Sequence, residues 1–360
     1  MLQALPDETA KRLASAQVAV SPDTVVKELV ENALDAGSTS VQVRVKDAGL
    51  ALISVKDDGC GVAPEDVPLL LQRYTTSKIA SFDDLASVRT FGFRALNSIA
   101  SLSVRTVVST RVASEGSGRC YEFDRNRRMT GESAKAMQVG TQIEVEKLFH
   151  HLPVRKQSFA KQSTQVCKRI RDIMIGFALL FPKVRISVKF ERTSSKSGPA
   201  GDDAANSITK SAVSTTLDAV RAVFGSALPK CLASFAAETS ISPENAEWES
   251  HDERERISCQ RIQIDALIPH KDHRSDAVVW KSSSDHCFVY VNSRRTALSS
   301  DPTIRELVAR VRRRCAEGLD ESKYPFMWIH IQLPVELTDV NIEPDKTTVK
   351  LRFPDQVLRW

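Results

Sequence analysis

Residues 24–57 constrain the fold more than any other part of this sequence. Residues 24–36 place four apolar side chains, Val26, Leu29, Val30 and Ala33, on one side of a helical wheel, and Gly37 follows as a stop signal. Two alternating runs, 40–45 and 51–57, come next and predict the strands of a hairpin. The chain therefore begins with a helix that must be covered by a sheet.

The same patterns continue and predict a first domain over residues 1–190. Further strands are expected at 101–110 and 140–148, and further helices at 64–73 and 164–180. This mixture predicts an α+β fold in which helices pack on one face of a mainly antiparallel sheet.

A Ser-, Gly- and Ala-rich stretch at 191–212 is the predicted linker. Beyond it, strand patterns and one helix at 303–315 with an apolar stripe predict a smaller α+β domain over 213–352, with 353–360 as a tail. The expected strands of this domain are 263–268, 286–291 and 326–333.

Composition excludes several classes of protein. With 42% hydrophobic and 26% charged residues, the 360-residue chain is neither disordered, collagen-like nor a coiled-coil rod. No window is apolar enough for a membrane span and no signal pattern opens the chain, which predicts an intracellular protein without a membrane partner. Seven scattered cysteines without a C-x-x-C pair predict reduced thiols. His270 and His273 lack an evident third ligand and are predicted to be surface-loop histidines.

Positive charge is concentrated in one part of the chain. Residues 151–200 carry 11 Lys and Arg against 2 Asp and Glu, which favours contact with a polyanion. The candidate polyanion-binding residues there are Arg155, Lys156, Lys161, Lys168, Arg169 and Arg171, and a second cluster includes Arg294 and Arg295. Few aromatics lie between them, so phosphate contact is expected rather than base readout. The alternative is an ordinary solvated helix face.

Four short segments could bind a phosphorylated ligand. On the 24–36 helix, Glu28 and Asn32 are four residues apart and present a proton acceptor beside a neutral oxygen ligand, although a merely solvated polar stripe is the alternative. The turn 55–62, VKDDGCGV, allows a ring to approach the backbone beside the Asp57 carboxylate, although Asp-Gly is also an ordinary turn. Hydroxyls and an ammonium in TTSK, and a helix start after Gly92, are suited to anions, with a capped helix as the alternative.

The order of these segments is more specific than any one of them. ELVENALDAG, DDGCGV, TTSKI and GFR are followed by GTQIEVEKLFHHLPVRKQSF, VYVNSRRT and DVNIEPDK. This series resembles the Bergerat-type (GHKL) ATP-binding fold and, within it, the MutL mismatch-repair family, with similarity to the eukaryotic post-meiotic-segregation branch. The resemblance covers nearly the whole chain and implies a GHKL α/β sandwich followed by a smaller ribosomal-protein-like α+β domain.

The resemblance also implies roles for individual residues. Glu28 would be the general base and Asn32 the Mg²⁺ ligand, while Asp57 would accept the adenine amino group beside Gly61 and Thr141. The nucleotide and phosphate loops would contain Thr76, Ser77, Lys78, Gly92, Phe93 and Arg94. Lys346 would reach the γ-phosphate from the second domain. ATP and Mg²⁺ are the implied cofactors.

Two departures from the family pattern bear on activity. The family's neutral Asn is Asp58 here, which adds a charge near a polyanionic ligand. The family's GFRGEAL is Gly92-Phe93-Arg94-Ala95-Leu96, so a Gly-Glu pair is missing. Losing preorganised donors costs about 3 kcal/mol each, which predicts weak or lost hydrolysis unless the gap is an error in the gene sequence.

The family context implies further properties of the whole protein. These are DNA binding, a heterodimer with another MutL homologue, an indirect link to a MutS-type mismatch sensor and a location in the nucleus. Members of the family carry a C-terminal dimerisation domain, in some with a nuclease motif, so the chain is expected to be an N-terminal module without nuclease activity.

Overall fold

The computed structural model describes residues 21–72, 94–192, 207–240, 261–273, 276–298, 301–316, 322–334, 338–339 and 350–351. Described residues up to Ala219 form one compact unit, and those from Val220 onwards form a second. No described helix is long and apolar enough to cross a bilayer. The six described cysteines are free thiols, as the sequence predicts.

Eight of the described strands form the sheet of the first unit. They are β1 (Ser40–Lys46), β2 (Leu52–Asp57), β3 (Arg105–Arg111), β4 (Gly118–Asp124), β5 (Met129–Lys135), β6 (Gly140–Glu146), β7 (Arg185–Glu191) and β8 (Ile208–Lys210). Their order is β5-β4-β3-β6-β2-β1-β7-β8, and the β1–β7 pair is parallel whereas the other pairs are antiparallel. The predicted, mainly antiparallel sheet is confirmed.

Several described helices accompany this sheet. They are α1 (Pro22–Asp35), α2 (Val67–Leu70), α3 (Arg94–Leu102), α4 (Pro153–Lys161) and α5 (Ser163–Leu180). Helix α1 packs on β2 and also contacts α3 and α5, while α5 packs on β7. The core includes Val26 and Leu29 of α1 with Val43 of β1 and Met174 of α5, so the apolar stripe of α1 faces the interior as predicted.

Two expected boundaries differ from the structure. Helix α2 covers only four of the residues 64–73, because Pro68 has no N–H and is accommodated only in a first turn. The predicted linker 191–212 begins inside β7, and β8 within it pairs with β7 through Ile208 and Val188. The Lys210 side chain is fully buried, and its ammonium donates hydrogen bonds to the carbonyls of Phe181 and Pro182. This residue of the predicted linker is therefore held within the first unit.

The second unit is built on a five-stranded sheet and a helix. The division between the units falls within α6 (Thr216–Phe224). The later elements, in chain order, are α7 (Ala227–Lys230), β9 (Leu232–Ser240), β10 (Arg261–Pro269), β11 (Trp280–Lys281), β12 (Cys287–Val291), β13 (Arg294–Arg295), α8 (Pro302–Cys315), β14 (Tyr324–Pro325), β15 (Met327–Gln332), β16 (Thr338–Asp339) and β17 (Lys350–Leu351). The main sheet has the order β13-β12-β15-β10-β9, with β12 and β15 parallel. Its core joins Ile304 and Leu307 of α8 to Val289 and Ile329. The α+β prediction is confirmed here as well.

Candidate functional site

Helix α1 is held at both ends by local interactions. Ser21 accepts a hydrogen bond from the Thr24 N–H at 3.3 Å, and Pro22 occupies the first turn, where its missing N–H costs nothing. At the other end, Gly37 takes a φ of 74°, which ends the helix. The positions of Glu28 and Asn32 are therefore fixed by a rigid element.

On the polar side of α1, Glu28 and the amide atoms of Asn32 are buried whereas Asp35 is partly exposed, so this side is not simply a solvated stripe. Glu28 is only 5% exposed. Both side-chain atoms Oδ1 and Nδ2 of Asn32 are buried, and neither has a hydrogen-bond partner in the described part of the chain. A buried amide left unpaired costs about 1–3 kcal/mol, and such groups require an explanation, which a bound ligand provides.

The Asp57 carboxylate lies where β2 ends. Its Oδ1 accepts hydrogen bonds from the Gly59 N–H at 2.9 Å and from the Thr141 N–H at 3.3 Å. Burial raises the pKa of Asp57 to about 6, and these two hydrogen bonds oppose the shift. The structure thus places predicted residues Asp57 and Thr141 together, with a carboxylate that is ionised at neutral pH and costly to bury.

Close backbone packing requires glycine on both sides of this carboxylate. At Gly61, which has a φ of 77°, an added Cβ would lie 2.2 Å from the Arg111 carbonyl oxygen. At Gly140, which has a φ of 133°, it would lie 2.2 Å from the Asp57 carbonyl oxygen. No side chain fits at these distances, so both glycines let the turn lie directly on the ends of β3 and β6.

A pair of threonines on β3 and β6 contacts the turn that follows β2. Thr110 on β3 is opposite Thr141 on β6, and their hydroxyl oxygens are 3.4 Å apart. Thr110 also accepts a hydrogen bond from the Val62 N–H at 2.8 Å. Sequence reasoning included Thr141 but missed Thr110, because only the strand register shows that they are partners.

Asp58, which departs from the family pattern, is bound away from Asp57. Its carboxylate accepts hydrogen bonds from the Thr39 N–H at 2.8 Å, the Thr39 hydroxyl at 2.6 Å and the Ser40 N–H at 2.7 Å. Although burial alone would raise it, these donors hold the pKa of Asp58 below its ordinary value. The added charge is therefore balanced by donors at the start of β1.

Backbone hydrogen bonds connect the turn to helix α1. The Cys60 N–H donates to the Ala36 carbonyl at 3.1 Å, and the Ala36 N–H donates to the Asn32 carbonyl at 3.1 Å. Asn32 is thus one helical turn and two hydrogen bonds from the Asp57–Gly61 turn. The structure brings the first and second predicted segments into one site.

The remaining predicted nucleotide residues are not described. Thr76, Ser77, Lys78, Gly92, Phe93 and Lys346 lie outside the described residues, and Arg94 is described only as the first residue of α3. Their assignment to phosphate loops stays a prediction.

The first basic segment presents lysines more openly than arginines. Lys156 and Lys161 on α4 are exposed, and neither has an ion pair within the described ranges; Lys168 on α5 is exposed too. Arg169 forms an ion pair with Asp23 at 3.2 Å, so it links α5 to the start of α1. Arg155 lies over the Phe149 ring at 5.5 Å, and Arg171 is partly buried.

The second basic cluster is largely engaged within its own unit. Arg294 is only 9% exposed, and the Arg295 guanidinium lies 4.7 Å from the centre of the Phe288 ring. Arg310 and Arg313 both pair with Glu306, at 2.9 and 3.1 Å. Arg294 is therefore largely withheld from a phosphate backbone, whereas Arg310 and Arg313 remain 49% and 64% exposed despite their ion pairs.

Two sequence families and many curated proteins match this chain. Residues 17–147 match a family described as histidine kinase-, DNA gyrase B- and HSP90-like ATPase, and residues 236–360 match the DNA mismatch repair protein, C-terminal domain family. Over 96% of its own length, the chain is 33% identical to the mismatch repair endonuclease PMS2 of Gallus gallus. Over 98% of its own length, it is 31% identical to the MutL protein of Methanothrix thermoacetophila. The chain belongs to the MutL family of DNA mismatch repair proteins. The predicted family is confirmed.

The MutL relatives are much longer than this chain. It spans 38% of Gallus gallus PMS2, 56% of the Methanothrix MutL and 35% of the human PMS1 protein homolog 1, to which it is 31% identical. The eukaryotic relatives agree with the predicted post-meiotic-segregation-type branch.

Solved structures confirm the MutL-type fold. The N-terminal domain of a DNA repair protein superimposes with a TM-score of 0.75 at 24% identity, covering 97% of this chain and 94% of that one. The Aquifex aeolicus MutL ATPase domain complexed with ADP gives 0.53 at 23% identity, covering 89% and 95%. The GHKL fold with a second, smaller α/β domain is therefore confirmed.

Proposed function

We propose that this chain is the ATP-binding, weakly hydrolysing module of a MutL homologue that acts in DNA mismatch repair. The observation that carries the proposal is the hydrogen-bonded connection between the Asp57–Gly61 turn and Asn32, whose buried amide has no partner among the described residues. A nucleotide would satisfy both: its adenine amino group would donate to Asp57, and its phosphates would lie near α1.

Each described residue has a distinct task in this proposal. The ionised Asp57 carboxylate selects adenine because it accepts a hydrogen bond and donates none. Gly61, which lets the turn pack directly on the Arg111 backbone, would line the base pocket. Glu28, buried on a rigid helix, takes a proton from the attacking water as general base.

The Asn32 side chain fits a Mg²⁺ ion. Its buried Oδ1 is a neutral hard oxygen without another partner in the described chain, which is a ligand that Mg²⁺ accepts together with phosphate oxygens and water. When bound, the ion would neutralise phosphate charge. Glu28, one turn earlier, is then left for proton transfer.

A turnover assay tests hydrolysis directly. The purified chain is compared with Glu28→Ala, Lys346→Ala and a variant with Gly-Glu inserted between Arg94 and Ala95. We expect slow, Mg²⁺-dependent ATP turnover that Glu28→Ala abolishes and the insertion increases. Turnover equal in the wild type and Glu28→Ala, together with active hydrolysis by the insertion variant, would contradict the weak ATPase.

The missing Gly-Glu pair favours one second candidate, a scaffold that binds DNA and a partner without hydrolysing ATP. The family's GFRGEAL segment is two residues shorter here, between Arg94 and Ala95 at the start of α3, so amides that would wrap the phosphates are missing. Calorimetry with a non-hydrolysable ATP analogue separates nucleotide binding from turnover: binding without turnover supports the scaffold.

We also propose that ATP drives closure between the two domains through Lys346. The exposed lysines of α4 and α5 would contact DNA phosphates. The partner would be another MutL homologue, linked indirectly to a MutS-type mismatch sensor in the nucleus. Relatives named for mismatch repair support this assignment. Lys346→Ala should retain ATP binding but lose ATP-dependent compaction, which small-angle scattering measures; unchanged compaction would contradict the closure.

A further inference from the structure

The second unit contains a group of three potential metal ligands that is separate from the nucleotide residues. The Cys231 thiol, the His273 ring and the Asp276 carboxylate place one ligand atom each within 4.8 Å of the others. We propose that these residues form a Zn²⁺ site that fixes the segment after β10 to the start of β9.

The distances are close to those of a tetrahedral zinc site. Zn–S and Zn–N bonds of about 2.3 and 2.0 Å place neighbouring ligand atoms roughly 3.2–3.6 Å apart. The Cys231 Sγ and Asp276 Oδ2 are 3.5 Å apart, and the His273 Nδ1 and Asp276 Oδ2 are 2.9 Å apart. The Cys231 Sγ and the His273 Nδ1 lie within 4.8 Å of each other, so the partly exposed His273 ring moves closer to the thiol when the ion is admitted.

The backbone brings the three residues together. Cys231 directly precedes β9, and His270 directly follows β10, and the His270 N–H donates to the Cys231 carbonyl at 2.8 Å. The His273 N–H then donates to the His270 carbonyl at 3.0 Å, and the Asp276 N–H to the His273 carbonyl at 3.1 Å. Because these bonds fix the turn without a metal, little ordering is needed when an ion binds.

The chemistry of the three ligands selects the ion. A thiolate, an imidazole and a carboxylate form a set that Zn²⁺ accepts, whereas Mg²⁺ and Ca²⁺ prefer oxygen alone. Binding breaks the Cys231 S–H bond, the thiolate sulfur donates its electron pair to Zn²⁺, and the proton passes to the solvent. The thiolate and carboxylate together balance the charge of the ion.

The fourth position is assigned to a water molecule. His270 is the nearest further imidazole, with its ring centre 6.4 Å from that of His273. Its Nδ1 already accepts the Asp272 N–H at 3.3 Å. With His273 and Asp276 partly exposed, solvent reaches the ion directly.

Cobalt serves as the spectroscopic probe of this site. The purified 360-residue chain is stripped with a chelator and titrated with Co²⁺, whose bond to a thiolate gives a charge-transfer absorption band. We expect the band to saturate at one equivalent, to disappear on addition of Zn²⁺, and to be absent in Cys231→Ser. Cys120→Ser, which removes another thiol of the chain, should retain it.

Two exposed variants keep the test independent of folding. His273→Ala and Asp276→Asn change surface side chains, and each should weaken Co²⁺ binding at least tenfold while leaving the metal-free Tm within about 1 °C of the wild type. Zn²⁺ should raise the Tm of the wild type but not of these variants. No thiolate band in the wild type, or a band that persists in Cys231→Ser, would overturn the proposal. A Co²⁺ affinity unchanged in both exposed variants would do the same.

Discussion

Helices α1 and α8 have similar N-termini but differ in how far their polar side chains are exposed and paired. Each has 14 residues, a side-chain cap at Ser21 or Asp301, and a proline in the first turn. On α8, the Glu306, Arg310 and Arg313 side chains are 42–64% exposed and paired with one another. On α1, Glu28 is 5% exposed and the amide of Asn32 is buried without a partner in the described chain.

We expect this difference to separate a helix that only stabilises its domain from one that also carries the proposed site. Exposed ion pairs such as those of Glu306 contribute about 0–1 kcal/mol and balance their own charges. Buried and unpaired polar groups reduce stability, and such groups persist where a ligand uses them. Substitutions of Glu28 or Asn32 on α1 should therefore change both stability and function, whereas substitutions of the exposed Glu306, Arg310 or Arg313 on α8 should change neither substantially.

The largest effect is expected at Glu28. In the chain with the Gly-Glu pair inserted, where turnover is highest, Glu28→Ala should lower kcat by at least about 100-fold, because a general base contributes about 100- to 10,000-fold. Steady-state phosphate release measures it. Glu306→Ala, the matched change on α8, should leave kcat unchanged, and an equal loss in both variants would contradict the distinction between the helices.

The next effect is expected at Asp57, whose raised pKa adds a pH dependence. Since its folded-state pKa of about 6 exceeds the ordinary value of 3.8 for an aspartate, its contribution to stability is complete below about pH 4 and is lost as the pH rises through 6. Asp57→Asn should be more stable than the wild type at pH 7.5, by up to about 3 kcal/mol, yet fail to bind ATP.

Urea unfolding at pH 4 and 7.5 measures the difference, which should vanish at pH 4. ATP affinity of the wild type should also fall below pH 6, because protonation of Asp57 replaces the charged acceptor of the adenine amino group with a weaker, neutral carboxyl group. An affinity independent of pH between 5 and 7.5 would exclude Asp57 as the acceptor.

Asn32→Leu should stabilise the free protein, whereas most substitutions of buried residues destabilise a protein. Removing a buried, unpaired amide should stabilise the free protein by about 1–2 kcal/mol, while nucleotide no longer raises its Tm. Arg310→Leu on α8 should change the free energy of unfolding by less than about 0.5 kcal/mol. A destabilised Asn32→Leu that still responds to ATP and Mg²⁺ would show that the amide has another partner.

The smallest effect concerns DNA. Lys156→Glu and Lys161→Glu together should weaken binding to a mismatch-free duplex and lower the slope of log affinity against log salt by about 2, one unit for each phosphate contact. Arg310→Glu should not alter the slope, because its charge is already paired. Fluorescence anisotropy at several salt concentrations measures both, and a slope unchanged by the lysine variants would exclude α4 as the contact surface.

Much of the fold follows from the sequence because it depends on periodicity and local stop signals. The apolar stripe of α1 and the alternation of β1 and β2 predict these elements closely, and the motif order predicts the family. The predictions that failed depend on long-range pairing. Strand β8 lies in a polar stretch that was predicted to be a linker, and Thr110 becomes part of the candidate site only through its register with Thr141. Cys231 is 42 residues from His273, so their proximity depends on the β9–β10 ladder.

Cys60 gives the molecule a built-in reporter. Its side chain is exposed in the middle of the Asp57–Gly61 turn, whereas the thiols of Cys287 and Cys315 are buried. An adenine resting on that turn would shield the sulfur from alkylating reagents. Labelling kinetics at Cys60, separated by peptide mapping from those of the partly exposed Cys120 and Cys167, would thus follow base occupancy in the unmutated protein, without a fluorophore or any hydrolysis.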